Sequence, residues 1–215
     1  MVLWGAPLSA ETERIYYGFL RTVGNSWTYR VEQVGPRPEQ NSSWIEEHEV
    51  LAVENWGRIR IAKIAVNVKQ NGVVIPPRRY FKTYMTYLGS LYETRGRDKF
   101  SRGDASRWLH RRPPLMQWSV GIKTWSHRRD KRETYRSGGL REFRVPAGTF
   151  NYIKTFQQQQ LAGRIQRIYW VDFKSGILKI ELKARTPEGL MQVTHTLTRF
   201  SVRKPSLKKR KKPRY

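Results

Sequence analysis

The sequence contains no cysteine. This absence excludes disulfides, thiolate nucleophiles and cysteine-ligated metal sites, although it does not identify a cellular compartment. Long apolar runs are missing too, since none approaches the roughly 18 residues that a membrane-spanning helix requires. We therefore do not expect a helix of this chain to cross a bilayer.

Recognisable catalytic patterns are missing as well. The chain has no G-x-S-x-G nucleophile elbow, no phosphate-binding G-x-x-x-x-G-K-[ST], no H-E-x-x-H and no G-x-G-x-x-G. Its four histidines are scattered, and the sequence alone does not bring them into one site. We expect a protein that is not an enzyme and that holds no cofactor and no metal, with an enzyme as the weakest alternative.

The chain has few apolar residues but many aromatic ones. Hydrophobic residues make up 38% of its 215 residues, whereas aromatic residues reach 13% and include eight Trp and eleven Tyr. Large rings bury much area per side chain, so a few of them can supply much of a core. This composition predicts a single β-rich domain over residues 11–202 with an aromatic-rich core.

Positive charge is concentrated in the second half of the chain. The formal net charge is +25, and residues 1–100 hold 14 Lys/Arg against 10 Asp/Glu, whereas residues 101–215 hold 28 against 7. Such a field attracts an anionic polymer or an anionic membrane surface. Residues 203–215 contain eight bases and no acid, which predicts a basic, disordered C-terminal tail.

The clearest strand pattern lies in residues 145–182. Leu178, Ile180 and Leu182 alternate with charged residues, which is typical of a strand with one buried and one solvated face. Turn residues at 146–148 and 175–176 bound the neighbouring runs, and the glutamines at 157–160 are expected to connect two strands. The segment predicts a β-meander and the chain a mainly β fold.

The same segment resembles a group of exported bacterial β-proteins. The resemblance rests on V-P-A-G-T-F at 145–150, Y-W-V-D at 169–172 and S-G-I-L-K-I-E at 175–181, and Gly24, Trp27 and Tyr29 extend it. It implies a single curved antiparallel sheet, a half-barrel or open barrel with little helix, distantly like that of lipoprotein carriers. It implies no catalytic residues.

Residues 1–10 are apolar, end in the small residues Ser9 and Ala10, and precede a polar segment. This pattern resembles the last part of a secretory signal peptide without its basic start. We expect the remnant of a signal peptide with the true start upstream, and therefore a periplasmic or otherwise extracytoplasmic protein. An ordinary N-terminus of a cytoplasmic protein is the alternative.

Two further patterns concern the arrangement of strands. In residues 58–68 the apolar phase slips by one near 62–63, which predicts a β-bulge there; Asn-Gly at 71–72 predicts a hairpin turn, and the prolines at 76–77 predict the end of the returning strand. The element Gly24 to Trp27 has a counterpart in Gly121 to Trp125. This echo predicts two related halves within one sheet.

Basic and aromatic residues alternate in residues 111–136, where they form a candidate site for an anionic partner. Arginine neutralises phosphates and aromatic rings stack on bases; a solvated basic hairpin with its Trp residues in the core is the alternative. Together with the tail, the predicted anion-binding residues are Arg111, Arg112, Lys123, Arg128, Arg129, Lys131, Arg132, Lys208, Lys209, Arg210, Lys211 and Lys212. The predicted aromatic platform for a ligand is Trp118, Trp125 and Trp170.

Three other polar features are candidates for a chemical role. Residues 46–49 (Glu-Glu-His-Glu) place three carboxylates around an imidazole, but alternation along a strand divides them between two faces. His195 lies on an apolar phase, which favours a core residue over a ligand. Asp172 beside Trp170 is the carboxylate that an indole would most desolvate.

The sequence supports two functions. The first is a non-enzymatic exported protein of the cell envelope that binds an apolar or anionic ligand, or that acts as an accessory subunit for an envelope protein partner. The alternative is an intracellular protein that binds nucleic acid or a ribonucleoprotein through residues 111–136 and the tail.

Overall fold

The structure of the protein, a computed structural model, describes residues 17–70, 73–87, 90–95, 116–117, 122–126, 132–137, 141–160, 164–172 and 174–203. These residues form β-strands and two short 3-10 turns, Gly18–Leu20 and Pro38–Gln40. The strands are β1 (Ser26–Val34), β2 (Ser42–Trp56), β3 (Ile59–Gln70), β4 (Val73–Tyr87), β5 (Ser90–Arg95), β6 (Met116–Gln117), β7 (Ile122–Ser126), β8 (Arg132–Ser137), β9 (Arg141–Val145), β10 (Gly148–Gln160), β11 (Ile165–Asp172), β12 (Gly176–Thr186) and β13 (Gly189–Ser201).

The strands form one antiparallel sheet in the order β6-β5-β4-β3-β2-β1-β13-β12-β11-β10-β8-β7, and β9 also pairs with β10. A meander of β1 to β6 and a second one of β7 to β13 thus join where the first strand pairs with the last. The predicted mainly β fold, a curled half-barrel, is confirmed. That the two meanders are related copies stays a prediction.

The main core lies on the concave face of the curled sheet, which we define as the face that carries Tyr29, Ile64 and Leu197. Aromatic rings from both meanders belong to this core, including the almost fully buried Tyr84 and Tyr169. Within the described part of the chain, no helix is long and apolar enough to cross a membrane.

Strand β3 is buried on both faces. Ile64 packs into the main core, whereas Ile61 joins Met85 and Tyr92 in a smaller cluster on the opposite, convex face. The predicted bulge at 62–63 is wrong, because the extra residue is Leu51 of β2, which the register skips between Val50 and Ala52. The phase slip in the sequence reflects burial on two faces.

The hairpin predicted at 71–72 is supported by its flanking residues, since Gln70 pairs with Val73. The prolines at 76–77 do not end the returning strand, and that prediction is wrong. Strand β4 continues to Tyr87. Val74 pairs with Lys69 of β3, and the next paired residue of β4 is Arg79, which pairs with Asn67. The prolines therefore lie in an irregular part of the strand, where proline costs no ladder hydrogen bond.

The meander predicted for residues 145–182 is confirmed by the pairing of β10 with β11 and of β11 with β12. The glutamines at 157–160 belong to β10 and do not connect two strands, because each one pairs with a residue of β11. A run of polar residues can belong to a strand, so the polarity of these glutamines did not indicate the end of β10.

Candidate ligand-binding site on the concave face

Two aromatic residues of β1 bond to the start of β12 and the turn before it. We call this region, formed by Phe19, Trp27, Tyr29, Asp172 and residues 174–177, the narrow end of the sheet. The indole Nε1 of Trp27 donates a hydrogen bond of 2.6 Å to the carbonyl of Ser175, and the hydroxyl of Tyr29 donates one of 2.9 Å to the carbonyl of Ile177. These bonds link the first strand to the start of β12, two strands away across β13. Both rings are buried, so they act as core residues.

The Asp172 carboxylate stabilises the turn that receives the Trp27 bond. Its Oδ2 accepts the backbone N–H groups of Lys174 at 3.0 Å and Ser175 at 2.8 Å. Local hydrogen bonds of this kind are typical of Asp in tight turns. The geometry therefore gives Asp172 a structural role.

Glu46 is the centre of a polar cluster on the concave face. This carboxylate is only 5% exposed. Its Oε1 accepts a hydrogen bond of 3.1 Å from Trp44 Nε1, and its Oε2 accepts bonds from His48 Nε2 at 2.9 Å and from the Tyr80 hydroxyl at 3.4 Å. His195 Nε2 lies 3.7 Å from the same Oε2. Strand β13 thus brings His195 close to Glu46, although the two residues are 149 positions apart in the sequence.

The Glu46 carboxylate is ionised in this setting. Burial alone would raise its pKa, but contacts with His195 and His48 and the charge of Lys82 outweigh burial and hold the pKa well below its usual range. An ionised carboxylate only accepts hydrogen bonds, so the facing Nε2 of His48 must carry the proton. The charge also acts on Tyr29, whose pKa is raised by burial first and by Glu46 second.

His48 is neutral near pH 7. Burial lowers its pKa from 6.5 to about 4, more than the hydrogen bond to Glu46 raises it, and the charge of Lys82 lowers it further. Its ring packs against that of Tyr29, with 4.9 Å between the centroids. Burial and the charge of Lys82 therefore keep His48 from adding a second positive charge to this part of the face.

Two polar groups beside Glu46, the ammonium of Lys82 and Nδ1 of His195, have no hydrogen-bond partner among the described residues. Lys82 is 4% exposed, yet within the part of the chain that the structure describes no carboxylate lies within 4.0 Å of its ammonium group and no hydrogen bond to it occurs. Its Nζ lies 5.6 Å from the centroid of the Tyr80 ring. The Nδ1 of His195 is also buried without a hydrogen bond to any described group.

An apolar wall adjoins this cluster. The cross-strand neighbours of His195 are Val31 and Ile180, and Trp44 pairs with Val31. Trp44, Ile180 and the nearby Leu182 are only partly buried. The concave face thus combines accessible apolar surface with incompletely paired polar groups, which is the combination that small-molecule sites show.

The cluster is not arranged as a metal site. Among the described residues, no group of three or more His, Cys, Asp or Glu side chains could hold a metal ion. Strand alternation divides residues 46–49 as predicted: Glu46 and His48 are buried, whereas Glu47 pairs with Lys69 at 2.6 Å and Glu49 is exposed. The two histidines therefore contact Glu46 as hydrogen-bond partners of its carboxylate rather than as members of a metal site.

Trp170, one residue of the predicted aromatic platform, lies away from this cluster. Its ring is stacked on Phe143 with centroids 5.7 Å apart and planes inclined by 15°. The ammonium of Lys179 lies 5.2 Å from its centroid and forms an ion pair of 2.6 Å with Glu181. Trp170 is thus already engaged by its own chain, and its role as a platform stays a prediction.

Strand register separates part of the predicted anion-binding set. Trp125 pairs with Glu133 and Lys123 with Tyr135, whereas Arg132, paired with Ser126, occupies the other phase of the hairpin. Positions 125 and 132 therefore lie on opposite faces, whereas positions 123 and 125 share one face, and the predicted anion-binding role of this hairpin stays a prediction.

The other predicted binding residues lie outside the described residues, and their role stays a prediction. They are Arg111, Arg112, Trp118, Arg128, Arg129, Lys131, Lys208, Lys209, Arg210, Lys211 and Lys212.

Sequence reasoning missed Lys82 and the grouping of His195 with Glu46. Lys82 lies between Tyr80 and Tyr84, which share its phase on β4. A lysine on a phase that aromatic residues otherwise occupy was an available signal, because lysine is rarely buried without a partner. The approach of His195 to Glu46 had no such signal, because it depends on β1 pairing with β13 across the whole chain.

Comparisons with known proteins give fold-level likenesses only. No family model matches the chain, and no curated protein matches it either. Among solved structures, a "putative lipoprotein" from Parabacteroides distasonis is 10% identical, with 85% of this chain and 97% of that chain covered and a TM-score of 0.49.

Two other solved structures are similar at the same level. A "putative exported protein with YmcC-like fold" from Bacteroides fragilis is 12% identical, with 85% of this chain and 98% of that chain covered and a TM-score of 0.46. A β-barrel-like protein of a domain of unknown function from Brucella abortus is 8% identical, with 86% and 99% covered and a TM-score of 0.38. Because all these TM-scores lie below 0.5, the likenesses transfer no function to this chain.

Proposed function

We propose that the protein is a non-enzymatic exported protein of the cell envelope whose curled sheet binds a ligand on its concave face. The observation that carries this proposal is the incomplete pairing of two groups beside the partly buried Trp44 and Ile180: among the described residues, Lys82 has no carboxylate within 4.0 Å, and Nδ1 of His195 has no hydrogen bond. In a purely structural core, buried polar groups are nearly all hydrogen-bonded. Unpaired groups next to accessible apolar surface are instead expected where a ligand completes the pairing.

The extracytoplasmic location is supported by the resemblance of residues 145–182 to exported β-proteins. The excess of 28 Lys/Arg over 7 Asp/Glu in residues 101–215 supports attraction to an anionic membrane surface or an envelope partner. Fractionation of source cells tests this part. We expect the protein in the extracytoplasmic fraction, and its recovery with the cytosolic proteins would contradict an exported protein.

Ligand binding is tested with an uncharged fluorescent probe whose emission rises in apolar surroundings. Leu182 lies on the concave face and its chain neighbour Lys183 on the convex face. We expect Leu182→Glu to weaken probe binding strongly, because it places a charge on the apolar wall, whereas Lys183→Glu leaves binding unchanged. Circular dichroism and urea unfolding establish that both variants are folded.

The same effect in both variants, or no probe binding by the wild-type protein, would contradict a concave-face site. Native mass spectrometry of protein purified from its own source provides an independent measurement. We expect a small molecule to leave with the protein and to be released on denaturation.

A further inference from the structure

The side chain of Lys82 is almost fully buried, and the described residues leave its ammonium without a close counter-ion. Lys82 is 4% exposed, and no described carboxylate lies within 4.0 Å of its Nζ. Lysine is rarely buried unless it is paired, because an unpaired charge in the interior loses its hydration without compensation. The described residues thus supply no negative group in direct contact with Nζ, and a bound anion would provide that contact.

Glu46 is not that group, although it is near enough to feel the charge of Lys82. Its two oxygens are already engaged by Trp44, His48 and Tyr80, with His195 3.7 Å away. These donors satisfy the carboxylate without a lysine contact. Lys82 is thus left as a cation that interacts with Glu46 only at longer range.

We propose that Lys82 and His195 hold the head group of an amphiphile that carries a single negative charge, a carboxylate in the first instance; this rests on the ligand-binding function proposed above. The Nδ1 of His195 is the second group without a described partner, and its side chain is 18% exposed, so the imidazole can be reached from the open side of the face. A hydrogen bond from His195 to the head group requires a proton on Nδ1, because Nε2 faces Glu46.

A head group with one negative charge suits this buried position better than a head group with two. The free-energy cost of removing an ion from water rises with its charge, and the ionised Glu46 lies nearby. A phosphate monoester with two charges therefore loses more hydration free energy than a carboxylate and is repelled more strongly by Glu46.

The apolar part of the ligand has a surface to cover next to the head-group position. Ile180 flanks His195 on the neighbouring strand, and Trp44 and Leu182 are further partly buried apolar residues of the same face. Partly buried apolar side chains in this position gain from contact with an alkyl chain. A linear alkyl carboxylate therefore fits both the head-group position and the apolar surface beside it.

The test compares three ligands of equal chain length, dodecanoate, dodecyl phosphate and dodecanol, each kept monomeric, by calorimetric titration of the full chain. We expect dodecanoate to bind about tenfold or more tightly than dodecanol, because a charge-assisted bond in a desolvated site adds at least that factor, and more tightly than dodecyl phosphate. Lys82→Met should remove the preference for carboxylate and leave the affinity for dodecanol unchanged. Lys179→Met, on the convex face, should change neither affinity.

The outcomes separate this inference from the function on which it rests. Equal binding of dodecanoate and dodecanol by the wild-type protein would overturn the inference and leave the proposed ligand binding intact, whereas failure of all three ligands would overturn both. A preference that disappears on raising the salt from about 0.15 M to about 0.5 M would belong to exposed bases such as the tail and would also overturn it, since buried pairs are screened much less. If Lys82→Met does not fold, His195→Phe takes its place, and an unchanged carboxylate preference in that variant would contradict the role of His195.

Discussion

The narrow end of the curled sheet and the middle of its concave face both contain buried polar groups, but they differ in how completely those groups are paired. At the narrow end, Trp27 donates to Ser175, and Asp172 accepts two N–H groups of the same turn. Around Glu46, three donors satisfy one carboxylate while Lys82 and one nitrogen of His195 remain without a described partner. Complete pairing indicates a structural role, and incomplete pairing points to a binding role.

The largest effect that this comparison predicts concerns Trp27. Trp27→Ala removes a ring that packs edge-on against Phe19, with 5.8 Å between the centroids, and leaves the Ser175 carbonyl without its donor. We expect a loss of about 3–5 kcal/mol in the free energy of unfolding, measured by urea denaturation. The exposed Val34→Ala serves as control and should cost less than about 0.5 kcal/mol. Similar losses in the two variants would contradict a structural role of the narrow end.

His48 makes stability depend on pH. Its pKa is lowered from 6.5 in the unfolded chain to about 4 in the folded protein, so the unfolded chain binds more protons between these values. Stability is therefore fully present above pH 6.5 and falls by roughly 3 kcal/mol as the pH decreases to about 4. Urea denaturation at several pH values measures this slope.

Two variants assign the slope to its source. His48→Gln should flatten the dependence between pH 6.5 and about 4. The pKa of Glu46 is lowered from 4.5 in the folded state, so its contribution is present above pH 4.5 and is lost only as the pH falls further; Glu46→Gln should flatten that lower range. A slope that persists above pH 4.5 in His48→Gln would show that another group is responsible.

Gly176 tests how tightly the narrow end is packed. Its φ is +107°, and an added Cβ would lie 3.0 Å from Trp27 Nε1 and 3.1 Å from Phe19 Cδ2. Gly57 also has a positive φ, +65°, but nothing lies within 4 Å of an added Cβ. We expect Gly57→Ala to cost about 1 kcal/mol from backbone strain and Gly176→Ala to cost about 1–2 kcal/mol more. Equal losses of stability in the two variants, measured by thermal unfolding, would mean that Trp27 and Phe19 move to accept the added Cβ without a cost in free energy.

The smallest expected effect lies on the convex face. Lys179 pairs with Glu181 at 2.6 Å and covers Trp170. Because partly exposed ion pairs contribute little, Lys179→Met should change the free energy of unfolding by less than about 1 kcal/mol. A larger loss in the free energy of unfolding, measured by urea denaturation, would mean that the convex face contributes to stability as the narrow end does.

The sequence predicted the curved antiparallel sheet because the alternation around Leu178, Ile180 and Leu182 is a local pattern that the pleat makes directly visible. It misplaced the bulge of β2 and the end of β4, since both depend on register against a neighbouring strand. The proposed site was invisible for the same reason. Glu46 and His195 meet only when β1 pairs with β13, and no local pattern encodes a contact between the two ends of the domain.

The most direct measurement of the central claim is a nuclear magnetic resonance titration of the full chain with monomeric dodecanoate, observed at the indole N–H signals. Trp44 lies beside the incompletely paired cluster, Trp27 belongs to the fully paired narrow end, and Trp170 lies apart from both. We expect the Trp44 signal to shift and to saturate as ligand is added, whereas the signals of Trp27 and Trp170 stay in place. A shift of Trp170 with an unchanged Trp44 would contradict it.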